Sequence, residues 1–166
     1  ELDLNFYIMN SHHTVAIGTW EGDKQQSIEY NSSIAVGIDC PRAKLRVSIL
    51  LDTIQEYQVR YIFSDEEISE AVNEAGLIIG ARGIAYEGVL QRKPVIVVGE
   101  YGFGGLVTPD TLHEQYNNYF RGKINGIKAE YFSLERLEEE IRRGFALTFQ
   151  ELQMMSNQTI RFLHNI

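Results

Sequence analysis

Two short stretches of uninterrupted apolar residues restrict the fold of this chain more than any other feature. Leu77–Gly80 reads LIIG and Val95–Gly99 reads VIVVG. Runs of this length without polar alternation are typical of strands covered on both faces, as in parallel sheets. Between them lies a short helical stretch, Ile84–Arg92, which a proline at position 94 closes. The pattern predicts a parallel, right-handed βαβ unit.

Apolar and amphipathic segments alternate along the rest of the chain, which indicates an α/β layer architecture. We expect strands at Val15–Gly18, Leu45–Leu51 and Val59–Phe63, and helices at Asp23–Ser33, Asp65–Ala75, Ser133–Arg143 and Phe145–Leu163. Asp65 is the expected N-cap of its helix and Gly76 the expected left-handed residue after it. Leu45–Tyr57 also fits a helix. The prediction is a Rossmann-like parallel sheet with helices on both faces, in a single domain over residues 1–166.

Charge and cysteine content limit the partners and the compartment. The 166 residues include 15 Lys and Arg against 23 Asp and Glu, a net charge of −8. Such a surface repels nucleic acid on average, so an anionic ligand needs a local site. The one cysteine, Cys40, cannot form an internal disulfide, which favours a reduced, cytoplasmic location. No apolar run approaches the length that crosses a membrane.

A glycine-marked turn follows the first buried strand and carries the clearest candidate site. It reads Gly80-Ala81-Arg82-Gly83 and leads into the helix that contains Glu87. Glycines let the backbone approach a ligand, and the helix N-terminus offers free N–H groups. A carboxylate one turn into the helix can accept hydrogen bonds from two ribose hydroxyls. The alternative is an ordinary βα turn with an exposed glutamate.

Two further glycine-rich turns have the same placement after a predicted strand. Four glycines lie within the seven positions 99–105, and a loop there could bind an anion through consecutive N–H groups. Its candidate ligand-binding residues are Gly102, Phe103, Gly104, Gly105 and Leu106. The other turn, 18–24, places Lys24 at a helix start, where it could pair with a diphosphate. A flexible surface loop and a solvated lysine are the respective alternatives.

The stretch 76–110, GLIIGARGIAYEGVLQRKPVIVVGEYGFGGLVTPD, resembles the donor-binding half of GT-B glycosyltransferases of the family-4 type. That group has a strand, a glycine loop, a helix with a ribose-binding glutamate, a Pro-Val-Ile-Val segment and a loop ending in Gly-Leu-Val-x-Pro. Here the elements are Leu77–Gly80, Glu87, Arg92–Val97 and Gly104–Pro109. The turn 15–24 is similar to the family's phosphate-binding turn, with Lys24 in the place of its diphosphate lysine.

The resemblance implies an enzyme, a hexosyltransferase of glycan or polysaccharide biosynthesis, of which this chain is the C-terminal donor-binding domain. It implies a UDP- or GDP-sugar held without a metal or other cofactor. The donor-binding residues would be Lys24, Gly80, Ala81, Arg82, Gly83, Glu87 and Gly102–Leu106. The acceptor would bind a separate N-terminal domain, and the parent enzyme could associate peripherally with a membrane. Alone, this domain would bind donor and transfer little.

Three positions depart from the family pattern. Gly80 stands where the family often has a first glutamate, Thr19 where an arginine partners the lysine, and Gly88 where alanine is common. No catalytic residue is therefore assigned. A UDP-sugar 2-epimerase-like isomerase and a non-catalytic nucleotide-sugar-binding module remain alternatives. A dinucleotide-binding domain is less favoured, because no G-x-G-x-x-G follows the first strand.

Overall fold

The computed structural model describes residues 31–123 and 126–165 in full, and before them the backbone of three strands. These strands are β1 (Phe6–Met9), β2 (Thr14–Gly18) and β3 (Gln26–Glu29). They pair antiparallel in the order β1-β2-β3, within a compact unit that covers Glu1–Ser32. Ser33–Ile166 form a second compact unit.

One prediction for the first unit is right only in part, and another is wrong. The strand expected at Val15–Gly18 is present, but it belongs to the antiparallel sheet and not to the parallel one. The helix expected over Asp23–Ser33 is replaced by β3, which pairs with β2 in a register that sets Val15 opposite Ile28. Strand pairing of this kind overrides a weak local helical pattern. Lys24 lies outside the described residues.

The second unit is a single Rossmann-like α/β domain, which confirms the predicted fold class. Its five-stranded sheet has the order β5-β4-β6-β7-β8. The first four strands are parallel and β8 is antiparallel to β7. The strands are β4 (Ser33–Gly37), β5 (Gln58–Tyr61), β6 (Leu77–Gly80), β7 (Val95–Gly99) and β8 (Gly102–Leu106).

The βαβ unit is present, and its two strands are parallel as predicted. Both β6 and β7 are buried along their whole length. They pair in parallel, and α3 (Gly83–Leu90) connects them. The predicted strand at Val59–Phe63 is confirmed as β5. By contrast, the predicted glycine loop is wrong from Gly102 onwards, because these residues form β8 and pair with β7 in a hairpin.

The expected strand at Leu45–Leu51 is wrong, and the helical alternative is correct. Helix α1 (Pro41–Ile54) begins with a proline in its first turn, where the missing N–H costs no hydrogen bond. Its buried residues recur at helical spacing, so that one face packs into the domain. They are Ala43, Val47, Leu50 and Leu51.

The helix predicted at Asp65–Ala75 is present as a 3₁₀ turn (Asp65–Glu67) followed by α2 (Ile68–Glu74). Its N-cap is Ser64 and not Asp65, since the Glu67 carboxylate accepts hydrogen bonds from the Phe63 and Ser64 N–H groups at 3.1 and 3.2 Å. These bonds lower the pKa of Glu67. Gly76 is not left-handed, because the chain already leaves the helix at Ala75 in an extended conformation.

Helices cover both faces of the sheet. Helices α2, α3 and α6 (Phe149–His164) share one buried apolar cluster, while α5 (Leu134–Phe145) packs on β6, β7 and β8. The Arg46 guanidinium of α1 donates to the Phe132 carbonyl just before α5, so α1 lies on the α5 side. A short helix, α4 (Leu112–Asn117), follows β8.

The two C-terminal helices are largely as predicted. Ser133 caps α5, its hydroxyl accepting from the Arg136 N–H at 3.1 Å. The last helix begins at Phe149, later than expected, because Thr148 and Glu151 form a capping box. Met155 is buried, but Phe149 and Leu163 are exposed. Within the described residues, no helix combines the length and apolarity needed to cross a membrane.

Candidate ligand-binding crevice

The strand order creates one place where the connections of the sheet diverge. From β4 the chain runs through α1 to β5 on one side, whereas from β6 it runs through α3 to β7 on the other. Ligands of open α/β sheets bind in the crevice outside the carboxyl ends of two such strands. Here those ends are Gly37 and Gly80, which face each other in register.

A crevice of 530 Å³ opens at this point. Its walls come from the carboxyl ends of β4 and β5, the start of α2 and the turn between β6 and α3. We call these residues the crevice: Gly37, Asp39, Ile62, Phe63, Ser64, Asp65, Ile68, Ser69, Ala81, Arg82, Gly83, Ile84 and Glu87. Four of them, Ala81, Arg82, Gly83 and Glu87, belong to the predicted site.

The floor of the crevice depends on close packing of two glycines under α3. A Cβ on Gly37 would lie 2.7 Å from the Ile84 Cδ1 atom. One on Gly80 would meet the Gly37 carbonyl oxygen and the Ile84 side chain. Gly80 is therefore buried beneath the first turn of α3, where it sets the distance between helix and sheet and does not line the crevice.

Arg82 is the N-cap residue of α3 and contacts the segments that follow α4 and β7. Its φ of 55° is in the left-handed region, and its N–H donates to the Phe120 carbonyl at 3.0 Å. Its Nη2 atom lies 2.7 Å from Glu100 Oε1. This contact raises the pKa of Arg82 and lowers the pKa of Glu100. The guanidinium is thus a fixed positive charge at the rim.

Glu87 is half-buried in the wall of the crevice, one turn into α3. Its Oε1 atom accepts a hydrogen bond from Gln91 Nε2 at 2.6 Å, which orients the carboxylate along the helix. Asp39 and Asp65 also line the crevice, so its described lining contains three carboxylates and one guanidinium, that of Arg82. Such a lining suits a ligand that offers hydroxyl or N–H donors along most of its length, with an anionic group only near Arg82.

The residues expected in the second glycine loop lie along β8, away from the crevice lining. Gly102 is paired with Gly99 at the carboxyl end of β7, and Leu106 with Ile96 near its amino end. Their polar groups are used within the protein: Phe103 N–H donates to the Ile127 carbonyl at 2.8 Å, and Gly104 O accepts from Gln115 at 2.8 Å.

A buried carboxylate lies against the end of this segment. Leu106 N–H donates to Glu140 Oε2 at 3.0 Å, and Gly105 has a φ of 77° where it faces the same carboxylate. Glu140 is buried and pairs with Arg136 at 3.0 Å and with Arg143 at 3.3 Å. Two N–H groups of the predicted phosphate-binding nest, those of Phe103 and Leu106, are therefore already bonded within the protein.

Asp39, Phe63 and Ser69 were not part of the predicted site. Asp39 follows β4, whose short run Ile34-Ala35-Val36-Gly37 has the same apolar, glycine-ended pattern as β6. That pattern could have identified the strand and the residue after it. Phe63 is 78% exposed beside the crevice, with the Lys44 ammonium 4.1 Å from its ring centroid.

Comparison with protein-family models, curated proteins and solved structures finds no significant match. Within residues 31–123 and 126–165, no cluster of three or more His, Cys, Asp or Glu side chains could hold a metal ion. A function must therefore be inferred from the crevice and from the sequence motifs that build it.

Proposed function

We propose that the crevice binds a nucleoside diphosphate sugar and that this chain is the donor-binding domain of a cytoplasmic glycosyltransferase. The observation that carries the proposal is the position of Glu87, which lines a crevice at the switch point of the sheet one turn into α3. The sequence motifs that resemble GT-B enzymes lie in the same β6–α3–β7 unit.

The carboxylates support the nucleoside part of the ligand. An ionised carboxylate only accepts hydrogen bonds, and the two hydroxyls of a ribose are donors at a matching spacing. Glu87 lines the crevice one turn after the start of α3, so a diphosphate attached to a ribose bound there would be within reach of that helix N-terminus. Asp39 and Asp65 offer further acceptors for hydroxyl or base N–H groups.

One position in the described lining favours the diphosphate. Three carboxylates repel it over most of the crevice, whereas the N-terminus of α3 and Arg82 attract it. Stabilisation of a leaving diphosphate by fixed charges could lower the barrier to transfer by several kcal/mol without a metal. The acceptor would be held by another domain, so this chain alone should bind donor and transfer little.

A titration of Glu87→Ala with UDP, GDP, their sugars and NAD tests the proposal. We expect UDP- or GDP-type ligands to bind the unaltered chain, and the variant to lose about 1–3 kcal/mol of binding free energy because the ribose hydroxyls lose their acceptor. The matched control is Glu139→Ala, an exposed glutamate on α5, which should bind as the unaltered chain does. Equal affinity of Glu87→Ala and the control, or binding of NAD alone, would contradict the proposal.

A further inference from the structure

We propose that Arg82 and Arg121 form an anion-binding pair for the diphosphate of the ligand, and that Glu100 occupies this pair until the ligand displaces it. The identity of the anion as a diphosphate rests on the proposed function. The pair itself is inferred from contacts at the carboxyl edge of the sheet, at the turns that follow β6, β7 and α4.

Two guanidinium groups converge on a single carboxylate oxygen. Glu100 Oε1 lies 2.7 Å from Arg82 Nη2 and 3.2 Å from Arg121 Nε. This is the charge arrangement that binds a phosphoryl oxygen, for which a carboxylate oxygen is a close substitute. The side chains of Arg82, Glu100 and Arg121 are 49, 43 and 33% exposed, so a ligand from solvent can reach them.

Arg121 is held in place from several directions. Its Nη1 atom donates to the Tyr101 hydroxyl at 3.1 Å, and its guanidinium lies over the Tyr101 and Tyr119 rings at 5.7 and 5.4 Å. Its carbonyl accepts from the Tyr101 N–H at 2.9 Å and packs directly on Gly99. A cation fixed in this way loses little further entropy when an anion binds.

Arg82 has an unusual backbone conformation at this place. Five non-glycine residues in the described part of the chain have positive φ, and four of them follow helix ends, where this conformation is common. These four are Gln55, Arg92, Tyr119 and Phe120. The fifth is Arg82, which lies at the start of α3. A strained residue in such a position is typical of ligand sites, where the surrounding structure fixes it.

A backbone hydrogen bond joins the segment of Arg82 to the segment of Arg121. Arg82 N–H donates to the Phe120 carbonyl at 3.0 Å, next to Arg121. Because Arg82 also lines the crevice, an anion held by the pair would be continuous with a ligand bound at Glu87. Arg82 lowers the pKa of Glu100, so this carboxylate is ionised at neutral pH and competes with the ligand.

Titration with inorganic pyrophosphate, which has no nucleoside, tests the pair directly. We expect Arg121→Gln to bind pyrophosphate about tenfold more weakly and Glu100→Gln about threefold or more tightly, since the first loses a charge-assisted contact and the second loses the competing anion. The matched control is Arg60→Gln, which breaks an exposed Arg–Glu pair of 3.1 Å with Glu74. It should leave the pyrophosphate affinity unchanged.

Each result supports or overturns the inference. The inference is overturned if Arg121→Gln and Arg60→Gln bind pyrophosphate with equal affinity. It is also overturned if Glu100→Gln binds pyrophosphate no more tightly than the unaltered chain, or if the unaltered chain does not bind pyrophosphate. Thermal unfolding of each variant checks the fold. If Arg121→Gln is unfolded, Glu100→Gln decides alone, because it changes only a partly exposed side chain.

Uridine separates this inference from the proposed function. If uridine binding depends on Glu87 but pyrophosphate binding does not depend on Arg121, the arginine pair is overturned and the proposal of a nucleotide-binding crevice is kept. Pyrophosphate binding that depends on Arg121, with no uridine or UDP binding dependent on Glu87, would overturn the nucleotide proposal and keep the anion site.

Discussion

Gly88 offers the sharpest test of how closely α3 packs on the sheet. It lies in the middle of α3, immediately after Glu87, and is buried. A Cβ at this position would lie 2.6 Å from Val95 Cγ2 and 3.1 Å from Ile78 Cγ1. Alanine is common here in the glycosyltransferases that the motif resembles. The variant Gly88→Ala therefore tests whether the packing of this chain accepts alanine at this position.

The expected cost follows from two opposing terms. Val95 and Ile78 are buried and β-branched, so neither the Val95 methyl nor the Ile78 methylene can rotate away, and overpacking of this kind costs about 1–3 kcal/mol. Alanine in a helix interior is favoured over glycine by about 1 kcal/mol. We therefore expect Gly88→Ala to lower the free energy of unfolding by about 0–2 kcal/mol.

Urea unfolding followed by circular dichroism measures this change, with Gly83→Ala as the matched control in the same helix. A Cβ on Gly83 would be 3.7 Å from the nearest atom outside its neighbours, Ile68 Cδ1, which is ordinary contact. The control should be neutral or more stable by about 0.4–1 kcal/mol, because alanine reduces the entropy of the unfolded chain. A Gly88→Ala variant as stable as the control would refute the packing argument.

Two further predictions concern polar side chains that are wholly or partly buried. Glu140→Ala should lower the free energy of unfolding, measured in urea, by about 1–3 kcal/mol, because the Leu106 N–H loses its acceptor. The exposed control Glu139→Ala should lower it by less than about 0.5 kcal/mol. Equal losses in the two variants would contradict this prediction. Burial, Glu56 and Glu138 raise the pKa of Tyr57 to about 12. Because the folded protein holds this proton more tightly than the unfolded chain, the contribution of neutral Tyr57 to stability is fully present below pH about 10 and is lost as the pH rises through 12. The difference in alkaline absorbance between the unaltered chain and Tyr57→Phe measures this pKa, and an ordinary value would contradict the burial.

The sequence predicts the β6–α3–β7 unit well because its signals are local. Uninterrupted apolar runs mark strands that are buried on both faces, and Pro94 closes the helix between them. Strand β8 could not be predicted in the same way. Its three glycines suggest a loop, and it becomes a strand only through pairing with β7 and through contacts with Gln115 and Glu140, which are distant in the sequence.

The candidate site likewise combines residues that local sequence patterns predict with residues that they do not. Ala81, Arg82, Gly83 and Glu87 were predictable because they follow a recognisable strand within one turn or two. The opposite wall, with Asp39 and Phe63, exists because β4 lies between β5 and β6, and strand order is not encoded in any local pattern. Local motifs thus identify one side of the crevice, and topology supplies the other.

Packing also explains the most important departure from the glycosyltransferase pattern. Gly80 stands where a first glutamate is often found, and a side chain there would collide with the Gly37 carbonyl and with Ile84. The position is therefore closed to any carboxylate as long as β4 and β6 end in paired glycines. If the proposed transfer needs a carboxylate near the sugar, it must come from another element, and Asp39 and Asp65 are the two further carboxylates in the described crevice lining.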